Sequence, residues 1–194
     1  MTPGRQTVSR QTGALTAEFG LVLVLFLTMA CAVLELARLI YLYNTLQVAT
    51  QRAAALAAQV DFRDAAALDQ VRRQAVLRDS AGGLLLGAPV TDAHIRIDYL
   101  ALSNAGGVTP TPIPTPALPS CPANNRIACM ADPYGDSCIR LVRARVCDPA
   151  VPEACNGVPY QPLFSFLGMR FNLPKATVVT SAETLGAAGQ APCP

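Results

Sequence analysis

The chain has 194 residues, a formal net charge of +2, and a composition that is 52% hydrophobic but only 14% charged. A soluble globular protein carries roughly 25% charged residues, so the apolar surplus has to be explained. The near-neutral balance excludes the strongly basic field that draws nucleic acid, and the length allows one membrane element plus one modest domain.

Residues 1–13 form a short polar leader containing Arg5 and Arg10, and the first acid is Glu18. From Phe19 to Leu34 there is no charged residue, and after Glu35 and Arg38 the apolar character resumes through Tyr43. Residues 19–43 are therefore long enough to cross a hydrocarbon core, which takes about 20 helical residues for about 30 Å. Leu39, Leu42, Leu46, Ala49, Ala53, Leu56 and Val60 continue at steps of three and four, a single apolar stripe. No glycine or proline interrupts residues 21–81, so one helix is predicted over 14–60, inner part in lipid and outer part under a folded domain. Residues 61–83 hold a second, amphipathic helix over 63–79, with Leu68, Val71 and Ala75 on one face and Ser80, Gly82 and Gly83 ending it.

Residues 84–194 read as a small α+β domain. Ile95, Ile97 and Tyr99 alternate with polar neighbours and predict a half-buried strand; residues 139–146 and 176–184 predict two more. The Pro-rich segment 109–119 cannot enter a sheet interior and is expected to be an extended loop. Residues 160–167 read as a short helix or an apolar loop. Three short strands fit an antiparallel sheet packed on the long helix.

Cys31 sits alone in the apolar run, whereas Cys121, Cys129, Cys138, Cys147, Cys155 and Cys193 cluster late in the chain. An even number in a loop-rich segment predicts disulfides and an oxidising compartment. With no Cys-x-x-Cys pair and no nearby histidine, a metal site is not expected. Of the 15 possible pairings, the shortest loops suggest Cys121–Cys129 and Cys147–Cys155, leaving Cys138 with Cys193. No catalytic constellation or cofactor pattern is recognisable, and the protein is not expected to be an enzyme. The lone His94 reads as a surface or edge residue at a strand start. Arg140, Arg143 and Arg145 read as a solvated basic strand face.

The most specific pattern lies at the amino end. A small-residue site, Gly13–Ala14, precedes the apolar run, the reverse of a secretory signal peptide. Cleavage after Gly13 would make Glu18 the fifth residue of the mature chain. This resembles the type IV prepilin pattern. More closely, Gly13-Ala-Leu-Thr-Ala-Glu18-Phe19, then Leu34-Glu35-Leu-Ala-Arg38-Leu-Ile-Tyr41, then Tyr43-Asn44-Thr-Leu46-Gln47 resemble a TadE-like segment of the Tad (tight adherence, Flp-type) pilus assembly and secretion system. The chain departs from that pattern at Ala17, before Glu18, and at Leu36 and Ala37, between Glu35 and Arg38. The resemblance covers about residues 11–60, with a looser likeness near the carboxyl end.

The resemblance implies a pilin-like fold and a pseudopilin role. It also implies an inner-membrane anchor with a cytoplasmic amino terminus and a periplasmic domain. Prepilin peptidase, other pseudopilins and the Tad platform proteins are the implied partners. Glu18, beside Phe19, would align subunits by pairing with the new amino terminus; otherwise it marks the cytoplasmic edge of an ordinary anchor. Glu35 and Arg38, three apart on one face, form either a self-satisfied pair at the lipid boundary or a dock for another helix. The contrasting reading is a tethered binding or adhesion module, with the helix only an anchor.

Overall fold

The computed structural model describes residues 12–104, 106–151, 154–182, 185–186 and 193; leader residues 1–11 lie outside them. The architecture is α+β. One long helix, α1 (Thr12–Ala57), runs from the bare amino end into a domain built on a four-stranded antiparallel sheet. The sheet comprises β1 (Ile95–Ser103), β2 (Thr109–Pro112), β3 (Leu141–Val146) and β4 (Thr177–Ser181), in the order β2-β1-β3-β4. Helix α2 (Ala65–Ala75) packs beside α1, and α3 (Pro122–Ala131) lies between β2 and β3 in the chain.

Helix α1 divides into two environments. Every large apolar side chain from Leu15 to Leu34 is exposed, at 42–69% of its full area. Leaving one such side chain in water forgoes about 1.5–3 kcal/mol. These 20 residues span about 30 Å at 1.5 Å each, the thickness of a hydrocarbon core. From Glu35 onward one face of the helix is covered by the domain: Leu42, Leu46, Ala53 and Ala57 are fully buried. The predicted stripe is therefore the core face, although Leu39, Leu56 and Val60 are only half-buried. The outer half of α1 shares one core with Val90, Ile95, Val146 and Leu173, so it is part of the domain rather than a stalk beneath it.

Several boundaries differ from the predicted ones. Helix α1 stops at Ala57, short of Val60, because the chain turns to place Phe62 edge-on to Tyr99, 5.6 Å between ring centres. The Tyr99 hydroxyl donates to the Ala57 carbonyl at 3.2 Å, satisfying one of the helix's terminal acceptors. Helix α2 starts behind Asp64, whose side chain accepts from the Ala66 and Ala67 amides. It ends by Val76, where Leu77 takes a left-handed φ of 59°, well before the glycines expected to stop it. The Pro-rich segment does pair: Thr109–Pro112 forms the edge strand β2, with Pro110 opposite Leu102 and Pro112 opposite Leu100. Prolines at alternate positions can point their missing N–H outward, so an edge strand tolerates them where an interior strand would not. Residues 160–167 are mostly loop, with a single 3-10 turn at Ser165–Leu167.

Three disulfides close the domain: Cys121–Cys193, Cys129–Cys138 and Cys147–Cys155. Two of the three expected pairings are thus replaced. Cys121 caps the start of α3 and Cys129 lies within it, so eight helical residues hold them about 12 Å apart. A disulfide needs Cα atoms within about 7 Å. Cys129 instead meets Cys138, with Cα atoms 4.8 Å apart, and Cys121 meets Cys193 at 5.8 Å.

Candidate functional site

The buried stripe of α1 does not begin with an apolar residue. Glu35 and Arg38 occupy its first positions, followed by Leu42, Leu46, Ala49 and Ala53, all at steps of three or four. The same helical geometry that sends the leucines into the core therefore sends these two charges against the domain. Glu35 is only 1% exposed and the Arg38 side chain 9%.

A buried carboxylate has to be satisfied by hydrogen bonds or a counter-charge. Glu35 has both. Its Oε1 accepts the Tyr160 hydroxyl, and the two oxygens share the Leu163 amide at 3.2 and 3.1 Å. Arg38 Nη1 lies 3.4 Å from Oε1, a long contact for a direct pair. Arg38 spends its other donors on backbone carbonyls: Gln161 at 2.7 Å, Ala88 at 3.0 Å and Leu86 at 3.2 Å. Its guanidinium also sits 5.3 Å from the centre of the Tyr160 ring, within cation–π range. Tyr160 is stacked on Phe171 at 4.7 Å. Burial, reinforced by the carboxylate it serves, pushes the Tyr160 phenol above its ordinary range.

Glu35 and Arg38 thus make a long ion pair with each other and bind the domain as well. Together they tie two loops, 84–90 and 160–163, to the point where α1 enters the domain. The first loop has a fixed shape of its own. Leu84 N–H donates to Val90 O, Gly87 N–H to Leu84 O, and Val90 N–H to Gly87 O, each at 2.9 Å. A Cβ at Gly87 would meet the Leu84 side chain at 2.7 Å, so only glycine fits that turn. Tyr41, one turn along α1, donates its hydroxyl to Leu85 O at 3.2 Å.

The other residues singled out in the sequence lie elsewhere. Gly13 and Ala14 fall within α1, and Glu18 and Phe19 are exposed on its bare part, far from the domain. Cys31 is a free, partly covered cysteine on the same helix. His94 ends a 3-10 turn and is half-buried; its Nδ1 faces the Thr91 amide at 3.1 Å and hydroxyl at 2.9 Å. Burial lowers the His94 pKa, while Asp148 and Asp92 pull it the other way. Arg143 and Arg145 are not a free basic face: both reach Asp98 across the β1–β3 ladder, at 3.2 and 2.6 Å, and Arg96 contacts the same carboxylate. Among the described residues, no group of three or more His, Cys, Asp or Glu side chains could hold a metal ion.

Tyr160, Leu163 and the 84–90 loop were not recognised in the sequence as partners of Glu35 and Arg38. The signal available was phase: both charges lie on the stripe that predicts the core face, so both must be covered by something.

Comparison with known proteins adds one match. The family model described as TadE-like protein fits residues 13–55, which cover nearly all of α1, including Glu18, Glu35 and Arg38. The amino-terminal segment is therefore TadE-like, as its residue pattern suggests. No curated protein and no solved structure matches the chain.

Proposed function

We propose that this protein is a membrane-anchored, pseudopilin-like component that assists assembly of a Tad/Flp-type pilus, with its disulfide-bonded domain on the periplasmic side of the bacterial inner membrane. The observation that carries the reading is the coincidence of the TadE-like match, residues 13–55, with one uninterrupted helix whose first part is bare and apolar. It is the single helix among the described residues that is long and apolar enough to cross a membrane. Three disulfides favour an oxidising compartment for the domain. Arg5 and Arg10 favour a cytoplasmic amino terminus.

In this reading prepilin peptidase cuts between Gly13 and Ala14. Glu18 then lies near the new amino terminus, and it is exposed, so a neighbouring subunit can reach it within the bilayer. A carboxylate in that position is costly until it meets a cation, and that cost gives subunit pairing its direction. Other pseudopilins and the platform proteins of the machine are the partners. The domain contributes a rigid body locked to the helix by Glu35 and Arg38.

The test is deletion of the protein in its own host, with piliation and surface adherence measured, and mass spectrometry of the wild-type protein recovered from the membrane. Loss of pili, restored by the wild-type chain, and a mature form starting at Ala14 are expected. Normal piliation without the protein would refute the assembly role, and an intact leader would refute the processing step.

A further inference from the structure

We propose that the loops 84–90 and 161–171 form an apolar collar that seats in the boundary between lipid headgroups and acyl chains, so that the domain rests on the bilayer instead of standing clear of it. The proposal deepens the membrane reading of α1 and rests on it. Two independent features of the structure support the collar.

The first is depth. The bare part of α1, Leu15–Leu34, is 20 residues long, which uses up about 30 Å of hydrocarbon. Glu35 and Arg38 follow at once, and Arg38 holds the carbonyls of Leu86, Ala88 and Gln161. Both loops are therefore fixed at the level where the hydrocarbon ends. The second loop reaches further: Leu167, Met169 and Phe171 line a small apolar groove of about 160 Å³ together with Ala32 and Leu36 of the helix. That places the loop beside the last turn of the bare segment.

The second feature is chemistry. Residues 80–91 and 159–169 contain no Asp, Glu, Lys or Arg. Four large side chains on these loops point away from the core: Leu85, Leu86, Leu163 and Phe166 are 62–69% exposed. Leu86 is held at a φ of 53°, a conformation a bulky residue rarely adopts. Charge returns at the margins, with Arg78 bound to Gly83 O and Arg170 exposed after Met169. Tyr41, one turn beyond Arg38 on the helix, is partly exposed with its hydroxyl on Leu85 O. Apolar tips edged by arginine, with a tyrosine at the same level, match the composition of a membrane interface. They are also continuous with the apolar surface of α1, so one lipid surface covers both.

The chain contains no tryptophan, which makes single-tryptophan fluorescence of the full chain in phospholipid vesicles a direct test. Four variants are needed, in vesicles of plain lipid, of lipid brominated near the upper part of the acyl chain, and of lipid brominated near the chain end, which reaches Phe26 in the middle of the span. Leu85→Trp and Phe166→Trp report on the two loops. Phe26→Trp reports on the span. Tyr134→Trp lies in the exposed turn leading to Cys138, whose neighbour Ile139 shares a core cluster with Ala57 at the far end of α1. The collar predicts blue-shifted, bromine-quenched emission for both loop variants and water-like, unquenched emission for Tyr134→Trp. If Phe26→Trp is quenched while the loop variants behave like Tyr134→Trp, the collar is wrong and the span stands. If Tyr134→Trp is quenched as strongly as the loops, the domain adheres without orientation, and the collar is again wrong. If Phe26→Trp is not quenched, the span and the collar fall together.

Discussion

The Glu35–Arg38 site makes the most demanding prediction. Glu35→Ala removes the acceptor for the Tyr160 hydroxyl and the Leu163 amide and leaves the Arg38 guanidinium, 9% exposed, with carbonyls and Tyr160 but no counter-charge. A hydrogen bond to a charged group is worth about 1.5–3 kcal/mol, and stranding one member of a buried pair costs about 3–5 kcal/mol. These effects overlap, so about 3–5 kcal/mol is expected for Glu35→Ala. Glu35→Gln keeps the shape and one acceptor and should cost less, about 1–3 kcal/mol. Tyr160→Phe removes one donor but leaves the Leu163 amide and Arg38 in place, and should cost about 1.5–3 kcal/mol. The assay is denaturant unfolding of the full chain in micelles, combined with amide exchange. The exchange reading is the sharper one, because protection should be lost first at Leu163 and across 84–90, while β1 and β3 keep theirs. Leu34→Ala, the preceding position on the same helix and exposed, is the control. If Glu35→Ala were no more destabilising than Leu34→Ala, or if exchange rose evenly through the sheet, the two charges would not be holding the loops.

Three further outcomes follow from other parts of the fold. Replacing Cys121 and Cys193 by serine opens a loop of 72 residues and should cost about 4 kcal/mol, against about 2.6 kcal/mol for the Cys129–Cys138 pair, whose separation is 9; unfolding of the two double variants under non-reducing conditions checks the order. Asp98→Ala leaves Arg96, Arg143 and Arg145 crowded without their shared anion; a loss of about 1–3 kcal/mol is expected, reduced by added salt, which a salt titration of the melting temperature would show. The His94 imidazole is held below its ordinary 6.5, so near and below that pH the unfolded chain binds more protons than the folded one. Stability should therefore fall as pH drops through 6.5 towards the folded-state value, and His94→Gln should flatten that slope in unfolding curves taken on both sides of it.

The parts of the fold legible in the sequence are those set by local periodicity. Ile95, Ile97 and Tyr99 alternate, and they lie in a strand; Leu42, Leu46, Ala49 and Ala53 repeat at helical steps, and they face the core. What escaped depended on contacts between distant segments. Edge strand β2 exists because β1 offers it a free ladder, which four residues of alternating Thr and Pro do not announce. Helix α3 buries no apolar stripe, since Ile127 and Met130 are exposed; its local sign was Pro122 at the first helical position behind Cys121, and its position follows from disulfides at both ends. Asn125 fastens it by bonding both the amide and the carbonyl of Ile139, a contact no spacing rule predicts. The pairing of the cysteines failed for the same reason: loop length favours Cys121 with Cys129, but a helix between them forbids it.

The two acids of α1 can now be assigned different work. They are 17 residues apart, about 25 Å along the helix, a separation close to the thickness of a hydrocarbon core. Glu35 has its carboxylate filled by Tyr160, Leu163 and Arg38 of its own chain, and is 1% exposed. A group so fully engaged has little left to offer a second protein, and its role is to fix how the domain meets the helix. Glu18 is exposed on a stretch of helix that no other part of the domain covers. If a partner subunit recognises a charge on the bare part of this helix, the accessible one is Glu18. Substituting Glu18 by Gln should leave unfolding and exchange of the domain unchanged while abolishing its contribution to piliation, whereas Glu35→Ala should disturb the domain itself. The pair of variants therefore separates assembly from architecture. An equal loss of domain stability in both would show that the division is wrong.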